Sequence, residues 1–141
     1  MERIVIRTPY APQSNGGSSQ GLVYQGLLYI SGQLPLDPAT GLMAGNRPPN
    51  PVLWGRADQV AADQMHQCLK NLSAICHAAG ADLSNAIKVT LYIDGVLTYF
   101  PAMDQVYSAY FREAPPARSV VGSSTLPGNA LVLADAIVPL G

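Results

Sequence analysis

One guanidinium and one carboxylate interrupt strands of this chain that otherwise read as apolar. Arg118 sits at the mouth of Pro115-Pro116-Ala117-Arg118-Ser119-Val120-Val121, and Asp135 lies within Leu131-Val132-Leu133-Ala134-Asp135-Ala136-Ile137-Val138. A guanidinium stays charged at physiological pH and its planar fork matches a carboxylate bidentately, so Arg118 implies an anionic ligand or an internal acidic partner. A buried carboxylate without a partner is costly, so Asp135 must meet a cation, a ligand or water. Ser18, in Gly16-Gly17-Ser18-Ser19, has a nucleophilic oxygen but no His or Lys nearby in sequence, so a loop hydroxyl is the plainer reading. His66 and His77 lack a Cys or carboxylate at metal-ligand spacing and read as solvated side chains, so no metal site is expected. Asp63 and Asp104 read from the residues alone as solvated helix positions, and Gly16-Gly17 is too short a glycine run for a phosphate cradle. Trp54 and Tyr99 suit either a core or a pocket wall.

The elements that must position these groups follow from periodicity. Residues 3–7 read as a strand, and Leu22-Val23-Tyr24 with Leu27-Leu28-Tyr29-Ile30 as a hairpin about Gln25-Gly26. The stretch from Pro9 to Gly17 must be loop. The Pro-rich stretch from Asp37 to Trp54 reads as a second, long loop of the kind that is often functional. Apolar residues from Ala57 to Ala79 recur every three or four positions, the stripe of a helix that Gly80 can cap. Ile87 to Ile93 alternates like a half-buried strand. Phe100, Met103, Val106, Tyr107, Tyr110 and Phe111 mark a second helix, with Thr98 as its cap and Pro101 near its first turn. Strands around 117–124 and 130–138 close the chain, joined by Leu126-Pro127-Gly128-Asn129. The order β-β-β-α-β-α-β-β predicts an α+β fold with two helices on one face of a mixed sheet. If the last two strands formed a simple hairpin, Arg118 would oppose Ile137 and lie diagonally beside Asp135.

Bulk properties narrow the class. The 141 residues make one domain, 1–141, large enough to bury a core without a covalent staple. Only 12% are charged against 48% hydrophobic, which suggests that other subunits cover apolar surface. A formal net charge of -1 without a Lys/Arg run argues against a nucleic-acid or membrane partner. Cys68 and Cys76, eight residues apart on one predicted helix, are separated by more than about 10 Å and cannot pair. Buried thiols, no signal-peptide core and no apolar stretch long enough to span a bilayer make a cytoplasmic location the expectation.

Three motifs share an order along the chain: Ala11-Pro12 with Gly16 and Ser19-Gln20-Gly21; Ser31-Gly32-Gln33-Leu34-Pro35 with Asp37-Pro38, Thr40 and Gly41; and Pro116-Ala117-Arg118-Ser119 with Leu126-Pro127 and Ala136-Ile137. In that order and spacing the chain resembles the Rid (reactive intermediate deaminase, YjgF) family over nearly its whole length. The resemblance implies a chorismate mutase-like, six-stranded mixed sheet with the final strand inserted at its centre, and a homotrimeric, barrel-like assembly with clefts between subunits. It implies a cofactor-independent hydrolase or deaminase of an imine, enamine or related C–N bond in a small carboxylate-bearing metabolite. In that reading Arg118 clamps the carboxylate, Asp135, standing for a Glu of the family, positions the attacking water, and backbone near Gly32 fixes the substrate. Ser18 replaces a Tyr, Val120 a Cys, and Asp104 an Asn, and the first two enlarge the pocket and remove an aromatic wall. The alternative is a non-catalytic, carboxylate-binding or chaperone-like member. Endoribonuclease activity, known in some relatives, is disfavoured by the charge balance.

Overall fold

A computed structural model describes residues 2–14, 16–45 and 57–141. Six strands, β1 (Ile4–Ile6), β2 (Gly21–Tyr24), β3 (Leu27–Gln33), β4 (Lys88–Asp94), β5 (Ala117–Ser123) and β6 (Val132–Pro139), form one sheet in the order β1-β2-β3-β6-β4-β5. Only β4 and β5 run parallel. The helices α1 (Ala57–Ala78) and α2 (Val96–Tyr110) pack against each other, α1 over β3 and β6 and α2 over β4 and β5. The fold is the predicted α+β arrangement.

Alternation decides which face is covered. Val132, Ala134, Ala136 and Val138 of β6 and Val89, Leu91 and Ile93 of β4 are almost wholly buried under the helices. Their neighbours in sequence point to the opposite, open face and are half-buried. From α1, Met65, Cys68, Leu69, Leu72 and Ile75 complete the core. Burial pushes the Cys76 thiol up to about 12 and holds the Cys68 thiol higher still, so both are inert core groups. Gly80 closes α1 at φ 75°, with Ala81 N–H donating to the Cys76 carbonyl at 2.8 Å, the cap expected from the sequence.

The central placement of the last strand, which the family resemblance implies, is borne out, and the alternative hairpin does not form: β5 pairs with β4 alone, and β6 lies between β3 and β4. A central position is favoured for β6 because its helix-facing side is all apolar and needs cover along its full length. Thr98 is not the cap of α2; Gly95, at φ 69°, precedes Val96, and Thr98 N–H donates to the Gly95 carbonyl. Pro101 accordingly falls in the second turn, where it removes the N–H that would meet the Leu97 carbonyl. Trp54 and most of the second predicted loop lie outside the described residues.

Candidate functional site

Arg118 pairs in register with Val89, so its side chain leaves the helix-covered face of β5. That strand is an edge, and α2 covers it only in part, with every residue from Ala117 to Gly122 exposed. Phe100, Asp104 and Tyr107 stand at i, i+4 and i+7 on α2 and therefore on one side of it. All three meet the guanidinium. Nη1 of Arg118 donates to Oδ1 of Asp104 at 2.6 Å, and Cζ lies 5.2 Å from the Phe100 ring centroid and 4.8 Å from that of Tyr107. The two side chains of this ion pair remain 28% and 36% exposed, so it borders solvent.

Beside the pair opens a cleft of about 440 Å³ lined by Asp104, Tyr107, Ser108, Pro115, Pro116 and Arg118, together with the buried Phe111. Tyr107 is buried and its hydroxyl has no hydrogen-bond partner among the described residues. Burial pushes that phenol up to about 12, with Arg118 pulling it down and Asp104 pushing it up, so it stays neutral. One hydrogen bond uses one of Arg118's five N–H donors, and its other nitrogens have no partner among the described residues. Such an edge can take a carboxylate. The aromatic contacts went unread in the sequence, although the spacing of Phe100, Asp104 and Tyr107 was the signal. Val120 shares Arg118's face two residues on, 37% exposed.

Asp135 belongs to a different region. It pairs with Thr90 on the open face, so it and Arg118 lie on opposite faces of the sheet with β4 between their strands. Across on β3, Ile30 pairs with Ala136 and Gln33 with Ala134, which leaves Ser31 and Gly32 together opposite Asp135 as a β-bulge. A Cβ at Gly32 would come 2.7 Å from Leu133 Cδ2, so a larger residue there would require that side chain to shift. Burial raises the Asp135 carboxyl above the usual carboxylate range, while Thr90 and Lys88 pull it the other way. Lys88 gives its Nζ to Ser119 Oγ at 2.7 Å, which completes a polar row across β6, β4 and β5.

Ser18 lies with the bulge, not with the cleft. Ser31 donates its hydroxyl to the Ser19 carbonyl at 2.6 Å and its N–H to the Gln20 carbonyl at 3.0 Å, joining the N-terminal loop to the bulge. Gln20, 4% exposed, fastens that loop by accepting from Thr8 N–H and donating to the Thr8, Ala11 and Pro12 carbonyls. Ser18 Oγ itself meets Ser14 Oγ at 2.9 Å in a depression of about 220 Å³ shared with Arg7. Among the described residues, no group able to deprotonate Ser18 is bonded to it. Among the described residues, His66 hydrogen-bonds through its side chain with the Tyr110 hydroxyl alone, 3.1 Å away.

Of the residues expected at the site, Arg118, Asp104 and Val120 thus lie together at one edge, and Gly32, Asp135 and Ser18 towards the other. Residues 8–139 match the protein family described as Endoribonuclease L-PSP. The chain belongs to that family, the Rid or YjgF proteins. A RutC family protein of Pyrococcus horikoshii is 38% identical over 134 residues, covering 94% of each chain. A 2-iminobutanoate/2-iminopropanoate deaminase of Dermatophagoides farinae is 34% identical, covering 95% of this chain and 94% of its own. The crystal structure of a Rid protein of Yersinia pestis superposes with a TM-score of 0.82 at 32% identity, over 99% of this chain and all of that one. No helix among the described residues is long and apolar enough to cross a membrane.

Proposed function

We propose that this Rid protein hydrolyses an imine or enamine derived from a small carboxylate-bearing metabolite, without a cofactor, in clefts that neighbouring copies of the chain complete. The observation that carries the reading is the open edge of Arg118 beside a cleft large enough for such a metabolite. The relative named as a 2-iminobutanoate/2-iminopropanoate deaminase supports the substrate class. The small net negative charge and the lack of a basic run support a metabolite over a nucleic acid.

Arg118 binds the carboxylate and holds the C=N carbon for attack. Asp135 is a carboxyl whose proton affinity burial raises, which favours its role as a general base, and it faces the bulge at Gly32. Water adds to the carbon and passes its proton to the nitrogen; the carbinolamine then collapses to a keto acid and ammonia. Because Arg118 and Asp135 occupy opposite faces, one chain does not supply both to one substrate. A homotrimer with three equivalent clefts, its subunits meeting through exposed apolar residues such as Tyr29, Val120 and Val121, would bring them together.

The test supplies imines formed in place by an amino-acid oxidase and follows semicarbazone loss or ammonia release. Acceleration over buffer is expected. A second reading, carboxylate binding without turnover, is favoured by one feature: among the described residues the one carboxylate lining the Arg118 cleft, Asp104, is already engaged by Arg118. No acceleration with retained carboxylate binding would establish it instead.

A further inference from the structure

We propose that Asp104 is the nitrogen subsite of this cleft, so that the site selects ligands carrying a carboxylate and a positively charged nitrogen on adjacent atoms, and disfavours plain carboxylates. The inference rests on Arg118 being the carboxylate clamp. An unpaired guanidinium would attract any anion, but Nη1 of Arg118 is held at 2.6 Å by Asp104, and the charged residues lining the cleft sum to zero. A plain carboxylate entering there meets a carboxylate already in place and is repelled by it. Oδ2 of Asp104 accepts no hydrogen bond among the described residues, and the remaining nitrogens of Arg118 donate none. An anionic acceptor and a cationic donor therefore stand side by side with open edges. A ligand of the same alternating charge, a zwitterionic amino acid or the protonated imine derived from one, satisfies both at once.

The same contact bears on turnover. A protonated C=N carbon is more electrophilic than a neutral one, and Asp104 stabilises the protonated form. Water then adds to the iminium carbon, and the resulting protonated carbinolamine releases ammonium and the keto acid, so protons and atoms balance without a further reactant.

The experiment titrates the wild-type assembly with L-alanine and with propionate, which share a carboxylate and differ by the charged nitrogen, following backbone amide shifts by NMR. Wild type should prefer alanine by about tenfold, the worth of one charge-assisted contact at a part-exposed site. Asp104→Asn, which keeps the shape, should weaken alanine by about tenfold and tighten propionate several-fold; Asp104→Ser should reverse the preference in the same direction. Arg118→Lys should weaken both ligands. If the Asp104 variants weaken both ligands alike, Asp104 only holds Arg118 in place and the nitrogen subsite is overturned, with the clamp intact. Equal binding of the two ligands by wild type overturns it too. If wild type binds neither ligand, the clamp itself fails and the proposal with it.

Discussion

The Arg118 cleft and the Gly32–Asp135 bulge differ in how the fold treats their charges. At the cleft, an edge strand and one side of α2 present a guanidinium that is ion-paired, stacked on two rings and open to solvent. At the bulge, a carboxylate stands on the central strand of the sheet, within 4 Å of no cation among the described residues, and burial raises its proton affinity. An edge is suited to orientation, because a long side chain can reach a ligand there and keep its charge. A sheet centre is suited to proton transfer, because partial desolvation moves a carboxyl towards neutrality. Neither region does both.

The largest expected effect divides the two regions by subunit. Arg118→Lys and Asp135→Asn should each be nearly inactive alone, whereas co-refolded mixtures should recover about a quarter of the wild-type rate, since random assembly leaves that share of clefts with both intact halves. Failure of mixing to restore any activity would place both groups in one subunit's site or in none. A light-scattering mass near 14.9 kDa, that of one chain, would remove the shared cleft outright.

Next come the separate roles. Asp135→Asn should lower turnover about 100-fold with ligand affinity unchanged, and Arg118→Lys should weaken carboxylate affinity by roughly 1.5 to 3 kcal/mol through loss of the fork. Melting temperatures falling in step with activity would instead make both residues structural. Ser18→Tyr should shift preference towards small imines; equal proportional changes on small and bulky imines would remove Ser18 from the pocket wall.

The smallest effect is a pH-dependent stability. The folded-state pKa of Asp135 is raised, so folding favours its protonated form; that contribution is present below the unfolded pKa and is lost as pH rises through the folded one. Asp135→Asn does not titrate, so its melting temperature relative to wild type should rise slightly between acid and neutral pH. A difference that is flat with pH would show that burial does not perturb this carboxyl.

Much of the scaffold was legible because its signals are local. The 3.6-residue stripe of α1 ends at a glycine that takes the left-handed φ of a helix stop, and the alternation along β4 names its buried face without knowledge of its neighbours. Local signals also misled. Thr98 resembles a helix cap, yet the helix begins one residue after Gly95, whose positive φ lets the chain turn without any side-chain cap. At Pro127-Gly128 the residues left a simple hairpin open as an alternative, and the central placement implied by the family resemblance is the one that forms, the turn leading the chain across to the sheet centre.

By itself the sequence determined which residues carry charge into strands, which faces of those strands are apolar, and the family, because each depends on residue type and spacing alone. Only the tertiary structure decided which charged groups meet. Strand order set β4 between β5 and β6 and put Arg118 and Asp135 on opposite faces, and the packing of α2 over β5 brought Asp104, Phe100 and Tyr107 to the guanidinium. Pairing across a sheet is settled by long-range burial, which rewards the order that covers the most apolar surface, and no short stretch of residues encodes that sum.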